Sequence, residues 1–254
     1  MHDTSPAPIL REDGFVDRGS HVTRFQAFLD ASFAFTVTLL VIAGNEVPDS
    51  VPKLIAALKS VPTFAASFLL IVLFWSGHDT WTRRYGLDDG RARGLGLLLI
   101  FLVLVYVYPL KMLFGSFFSW ITEGALPAKF TINTVDDLRM MFYMYALAFG
   151  TLGAVMALLY RHAWRLREQI GLFPAEQAAT RDEMRRWTML PAFSALSASI
   201  AWLLPEKPPV WLTGLPGIVY FVLHAYMVLW RRRQRRLAAS PIPEAQEPAR
   251  SSGH

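Results

Sequence analysis

Six apolar stretches divide this chain, and each approaches the ~20 residues that a helix needs to cross the hydrocarbon core of a bilayer. They run from Phe25 to Gly44, Pro62 to Gly77, Gly94 to Phe118, Leu138 to Tyr160, Trp187 to Leu204 and Val210 to Trp230. The expected fold is therefore all-α, a polytopic membrane protein with six transmembrane helices. Composition agrees: 53% of residues are hydrophobic and only 18% charged, against roughly 25% charged in soluble domains. The second stretch is the short one. Lys53 to Val61 can extend it as an interfacial turn of helix, with Leu54, Ile55 and Leu58 on one face and Lys53 and Lys59 free to snorkel.

Cationic residues orient the bundle, because cytoplasmic loops carry the excess of Lys and Arg. The N-terminal segment, alternate loops and the C-terminal tail together hold Arg11, Arg18, Arg24, Arg83, Arg84, Arg91, Arg93, Arg161, Arg165, Arg167, Arg181, Arg185, Arg186, the run Arg231 to Arg236 and Arg250. The intervening segments carry just Lys53, Lys59, Lys129, Arg139 and Lys207. Both termini are thus expected to be cytoplasmic. Residues 1–23 read as a cytoplasmic segment, 24–230 as the six-helix domain and 231–254 as a basic tail whose Ala, Ser, Pro and Glu content predicts disorder. Within the tail, Arg231 to Arg236 suit a stop-transfer anchor and can also hold anionic lipid headgroups. Met1 to Val22 includes Asp3, Glu12, Asp13 and Asp17 and lacks an apolar run before a cleavage site, so the first span is expected to remain as a helix. Trp81, Tyr106, Tyr108, Trp120, Trp187, Trp202, Trp211 and Trp230 fall near span ends, where interfacial aromatics are expected.

Several function classes lose support. Cysteine is absent, which removes disulfides and thiolate metal sites, and His2, His21, His78, His162, His224 and His254 are too scattered to form a metal site. Topology accounts for the basic isoelectric point of about 9.6 without nucleic-acid binding. An enzyme built on Asp30, His78 and Asp79 lacks any arrangement of nucleophile, base and orienting group. No enzymatic role and no cofactor are expected.

Chemistry concentrates in the first span. An ionisable side chain inside a membrane is expensive, and Asp30 sits roughly 7 to 8 Å of helix rise inside the start of this one. His78 closes the second span on the same side, with Arg24 and Trp75 as further candidate partners for the carboxylate. Phe35, Thr38, Leu39 and Ile42 recur at helical spacing on one stripe, while Ala27, Ala31 and Ala34 permit close helix approach. Such a stripe suits lipid or core as well as a pore. Asn45 and Glu46 close the outer end, either as a cation-attracting mouth or as solvated loop residues. His224, in the sixth span, reads as a neutral imidazole bonded to a neighbouring helix, and Lys111 as a snorkelling cation.

The run Arg24-Phe25-Gln26-Ala27-Phe28-Leu29-Asp30, followed by Thr38-Leu39-Leu40-Val41, resembles the signature of the TMEM175 family of potassium channels. In that family an Arg, three variable residues and Phe-Ser-Asp precede an aliphatic stretch with Thr-Leu-Leu-Val. Trp75 and His78, Tyr108-Pro109, and Arg186 through Pro191 match more loosely, extending the similarity from about Arg24 to Trp230. The resemblance implies a homotetramer whose four first helices line a pore, with rings at Phe35, Thr38, Leu39 and Ile42 as the constriction. It also implies a polar network at Arg24, Phe28, Asp30, Trp75 and His78. No Thr-Val-Gly-Tyr-Gly filter occurs, so a carbonyl cage is not expected; the resemblance implies that apolar rings that gate by dewetting and a ring of Thr38 hydroxyls take its place. Leu29 stands where the family has Ser, Phe35 where it has Leu or Ile, and the third span lacks the family's Asn. These departures thin the expected polar network and narrow the expected path.

The expectation is a passive, potassium-preferring cation channel in a bacterial inner membrane, with potassium as the permeant ion and no resident cofactor. The alternative from another class is a proton-coupled transporter in which Asp30 and His78 exchange a proton. Internal repeats and broken helices, common in transporters, are not visible in the sequence.

Overall fold

The computed structural model describes residues 10–42, 47–128, 132–220 and 222. Asn45, Glu46, His224, Trp230 and the basic tail lie outside the described residues. Among the described residues the helices in order are α1 (Arg24–Ile42), α2 (Val51–Lys59), α3 (Val61–Tyr85), α4 (Gly90–Ile121), α5 (Val135–Arg165), α6 (Pro174–Trp202) and α7 (Val210–Thr213). Residues 215–220 are helical as well. The sole β pairing among the described residues is one isolated bridge, Leu10 to Val16.

Four of these helices, α1, α3, α4 and α5, are long and apolar enough to cross a membrane. The second stretch is not short after all: α3 continues from Val61 through Gly77 to Tyr85. Hydropathy ends the segment where polar residues begin, but a helix ends where its backbone can be capped, and here Gly86 supplies the cap. Its left-handed backbone (φ 59°) returns an N–H to the Thr82 carbonyl. Asp89 then starts α4 by accepting from the N–H groups of Arg91 and Ala92. The fifth stretch is likewise the second half of a longer helix, α6, which begins back at Pro174 with Glu176 in its first turn. Separate from α3, α2 is a nine-residue helix closed at Ser60, with Leu54, Ile55 and Leu58 exposed.

The core lies between α3, α4, α5 and one face of α1. Leu99, Val103, Val107 and Leu110 of α4 meet Leu152, Met156 and Leu159 of α5 together with Ile71 and Phe74 of α3. From α1, Leu29, Phe33, Thr36 and Leu40 turn inward at helical spacing. Gly96 lets α1 approach α4: a Cβ there would sit 2.9 Å from Leu29 Cδ1. Three of the expected interfacial aromatics prove to be core residues. Trp81, Tyr106 and Trp187 are all buried, and Phe74 packs on Trp187 at 5.8 Å between centroids. Length along the helix placed them near span ends, whereas their angular position turns them into the bundle. Lys111 is half-buried, and its ammonium reaches the Leu40 carbonyl at 3.4 Å, where a cation favours the C-terminal end of α1.

Candidate functional site

Thr23 and Gln26 open α1 with a reciprocal cap: the Gln26 side chain accepts from Thr23 N–H at 3.0 Å and Thr23 Oγ1 accepts from Gln26 N–H at 3.2 Å. The helix therefore starts at Arg24. From there one face enters the core and the other stays uncovered on the single chain. The uncovered face carries Ala27, Phe28, Asp30, Ala31, Ala34, Phe35, Thr38, Val41 and Ile42, with Phe35 56% exposed. Leu39 is half-buried at its edge. Thr38 Oγ1 donates its proton to the Ala34 carbonyl at 3.2 Å, which leaves the oxygen lone pairs turned outward.

Asp30 lies at the α3 side of this face. Its Oδ1 accepts from the indole Nε1 of Trp75 at 2.9 Å, so the partner is the tryptophan. His78 lines a small polar pocket with Asp30, Gln26, Asp79, Thr82 and Arg83, closed on one side by Gly19, Ser20 and Val22. The His78 imidazole is buried and packs 6.1 Å from Trp81, and among the described residues no hydrogen bond joins it to Asp30. Asp79 instead takes both of its contacts from Arg83 Nε, at 2.9 and 3.1 Å. Of the other residues expected in this network, Arg24 and Phe28 are exposed, and Arg24 makes no ion pair among the described residues. Leu29 is 1% exposed and packs against Gly96, roughly 100° around the helix from Asp30. Among the described residues no three His, Asp or Glu side chains converge as a metal site.

A second polar centre was not foreseen. The segment before α1 crosses the Arg-rich end of the bundle, and Arg18 inserts its guanidinium between α3 and α6. Both carboxylate oxygens of Glu176 accept from it at 2.8 Å, and the carbonyls of Ile170 and Gly171 accept at 3.0 Å. Glu176 is 2% exposed. Burial alone would raise its pKa, but the Arg18 guanidinium and the N–H groups of Val16 and Phe173 outweigh it and hold the carboxyl below its ordinary range. Phe15 is buried beside Tyr85, edge to face at 6.0 Å, under the Arg84 guanidinium at 4.3 Å from its ring. Nothing local in the sequence signals this centre, since 158 residues separate Arg18 from Glu176.

Among the described residues the chain is helical apart from one isolated bridge, and four helices are long and apolar enough to cross a membrane, which makes it a multi-pass membrane protein whose first helix offers an uncovered face bearing a carboxylate and a hydroxyl. The family described as endosomal/lysosomal potassium channel TMEM175 matches it over residues 24–109. A potassium channel of Marivirga tractuosa is 30% identical over 238 residues, covering 88% of this chain and 93% of its own length. Among solved structures, a variant of the potassium channel MtTMEM175, crystallised with a nanobody–MBP fusion protein, is similar with a TM-score of 0.76 and 27% identity. That likeness covers 90% of this chain and all of the other. The chain belongs to the TMEM175 family of potassium channels, a class of channels and not of enzymes.

Proposed function

We propose that the protein is a potassium-preferring passive cation channel, a homotetramer in which four copies of α1 enclose the pore. The observation that carries this reading is the uncovered face of α1. A carboxylate at Asp30 on a face turned to lipid is costly, and the same face lining water is not. Ala27, Ala31 and Ala34, all exposed, let copies of the helix approach closely. Kinship with proteins named as potassium channels supports the choice of ion.

In this reading Phe35, Leu39 and Ile42 form apolar rings that resist wetting, and Thr38 adds a ring of outward lone pairs that replaces part of an ion's hydration shell. Potassium sheds water more cheaply than sodium, so the neck favours it modestly. In the same reading the chain crosses a bacterial plasma membrane six times, with both ends of this sequence and the Arg-rich helix ends on the cytoplasmic side. No cofactor is required.

Ion flux into liposomes holding the purified protein, under potassium and then sodium gradients with a pH dye present, tests the reading. Faster flux with potassium and no proton movement is the expected result. Flux that appears solely with coupled proton movement overturns it in favour of a proton-coupled transporter, for which Asp30 and His78 in one pocket would be the exchanging pair.

A further inference from the structure

Residues 10–23 form a strap fastened to the Arg-rich ends of α3 and α6 before the chain enters α1. Its fastening has three parts. Phe15 is the buried plug beside Tyr85. The backbone N–H groups of Arg18 and Gly19 both donate to the Arg83 carbonyl at 3.1 Å. Finally, the Arg18 guanidinium grips Glu176 and the two carbonyls at the start of α6. The fit is close enough that a Cβ on Gly86 would collide with the Arg18 carbonyl, and one on Gly19 would lie 2.5 Å from the Thr82 carbonyl.

Only Ser20, His21, Val22 and Thr23 separate this anchor from Arg24, a link that spans at most about 18 Å when fully extended. Thr23 and Gln26 cap α1 at the end of this short link, so the strap's anchor and the first turn of the helix are only a few residues apart. Gly19, Ser20 and Val22 also wall the pocket that holds Asp30. We propose that Arg18 is a positioning residue of the channel: by anchoring the strap to Glu176 it fixes the Arg-rich end of α1 against α3 and α6, and so sets how often the constriction opens. This rests on α1 being the pore helix.

The test is single-channel recording from the full-length protein in planar bilayers. Glu176→Gln removes the charge that holds the guanidinium while keeping the side chain's shape. As a second variant, a site-specific protease sequence inserted after Ser20 allows the strap to be cut from α1 after the channel has folded. Both are expected to change open probability at least about threefold while unitary conductance stays at its original value. A merely structural role would lower the number of active channels and leave open probability alone. Unchanged open probability after complete cleavage overturns the proposal, whatever Glu176→Gln does. Failure of the pore reading itself looks different: substitutions at Phe35, Thr38, Leu39 and Ile42 all then leave unitary conductance and ion selectivity unaltered, and the strap proposal falls with it.

Discussion

Trp75 holds Asp30 by one hydrogen bond, indole Nε1 to Oδ1 at 2.9 Å, and that bond fastens the beginning of α1 to α3. The carboxylate is thereby oriented beside the face of α1 that the single chain leaves uncovered. A donor fixed on a neighbouring helix is what keeps a charge tolerable at that depth.

Removing the donor should therefore destabilise the bundle. A hydrogen bond to a charged group contributes about 1.5–3 kcal/mol, so Trp75→Phe is expected to lower thermal stability in detergent by an amount of that order. Asp30→Asn keeps an acceptor oxygen and should lose less than Asp30→Ala. Equal melting of Trp75→Phe and the original protein would show that the bond contributes nothing.

Phe35 is the bulkiest residue on the proposed pore stripe, and its ring is 56% exposed on the single chain. Four such rings around an axis would narrow the path and expel water from it. Phe35→Ala is expected to raise unitary conductance severalfold. Conductance equal to the original would move the constriction to another ring.

Thr38 offers a different lever. Its proton is committed to the Ala34 carbonyl, so its oxygen presents lone pairs and not a donor to whatever faces it. Thr38→Val keeps the volume and removes the oxygen. The potassium-to-sodium permeability ratio, measured from reversal potentials, should fall, and a ratio that stays put would reject a selective role for the hydroxyl.

What the sequence revealed and concealed follows from the reach of each signal. Asp30 stood out because an acid in an apolar run is a local anomaly, and Trp75 and His78 were candidate neighbours by depth. Depth alone does not give angle, however. Because α1 is apolar nearly all round, no amphipathic pattern phases it, and nothing in the sequence showed that Leu29, Phe33, Thr36 and Leu40 are its core face. The same ambiguity made Trp81, Tyr106 and Trp187 look interfacial. Hydropathy also truncated α3 and α6, whose polar ends remain helical because Gly86 and Pro174 set the boundaries. Arg18 and Glu176 were illegible for another reason: each is an ordinary charged residue until folding brings them together across the chain.

That pairing has a pH signature. Desolvation pushes the Glu176 pKa up, but the Arg18 guanidinium and two backbone N–H groups pull it below the ordinary value, and at Asp13 burial is similarly outweighed by Arg84. A carboxyl with a depressed pKa in the folded protein stabilises the fold fully above its unfolded pKa, near 4.3 for Glu, and loses that contribution as pH falls through the folded value. Thermal stability should thus be flat from about pH 5 to 8 with respect to these groups and decline below about pH 4. Glu176→Gln should be less stable at pH 7, by about 3 kcal/mol for breaking a buried pair on one side, and should show a shallower acid decline because its side chain has no proton to gain. Amide exchange at Val16, whose N–H donates to Glu176 Oε1 at 2.8 Å, would follow the same transition locally. An acid limb of equal steepness in both proteins would assign the loss of stability to other carboxylates.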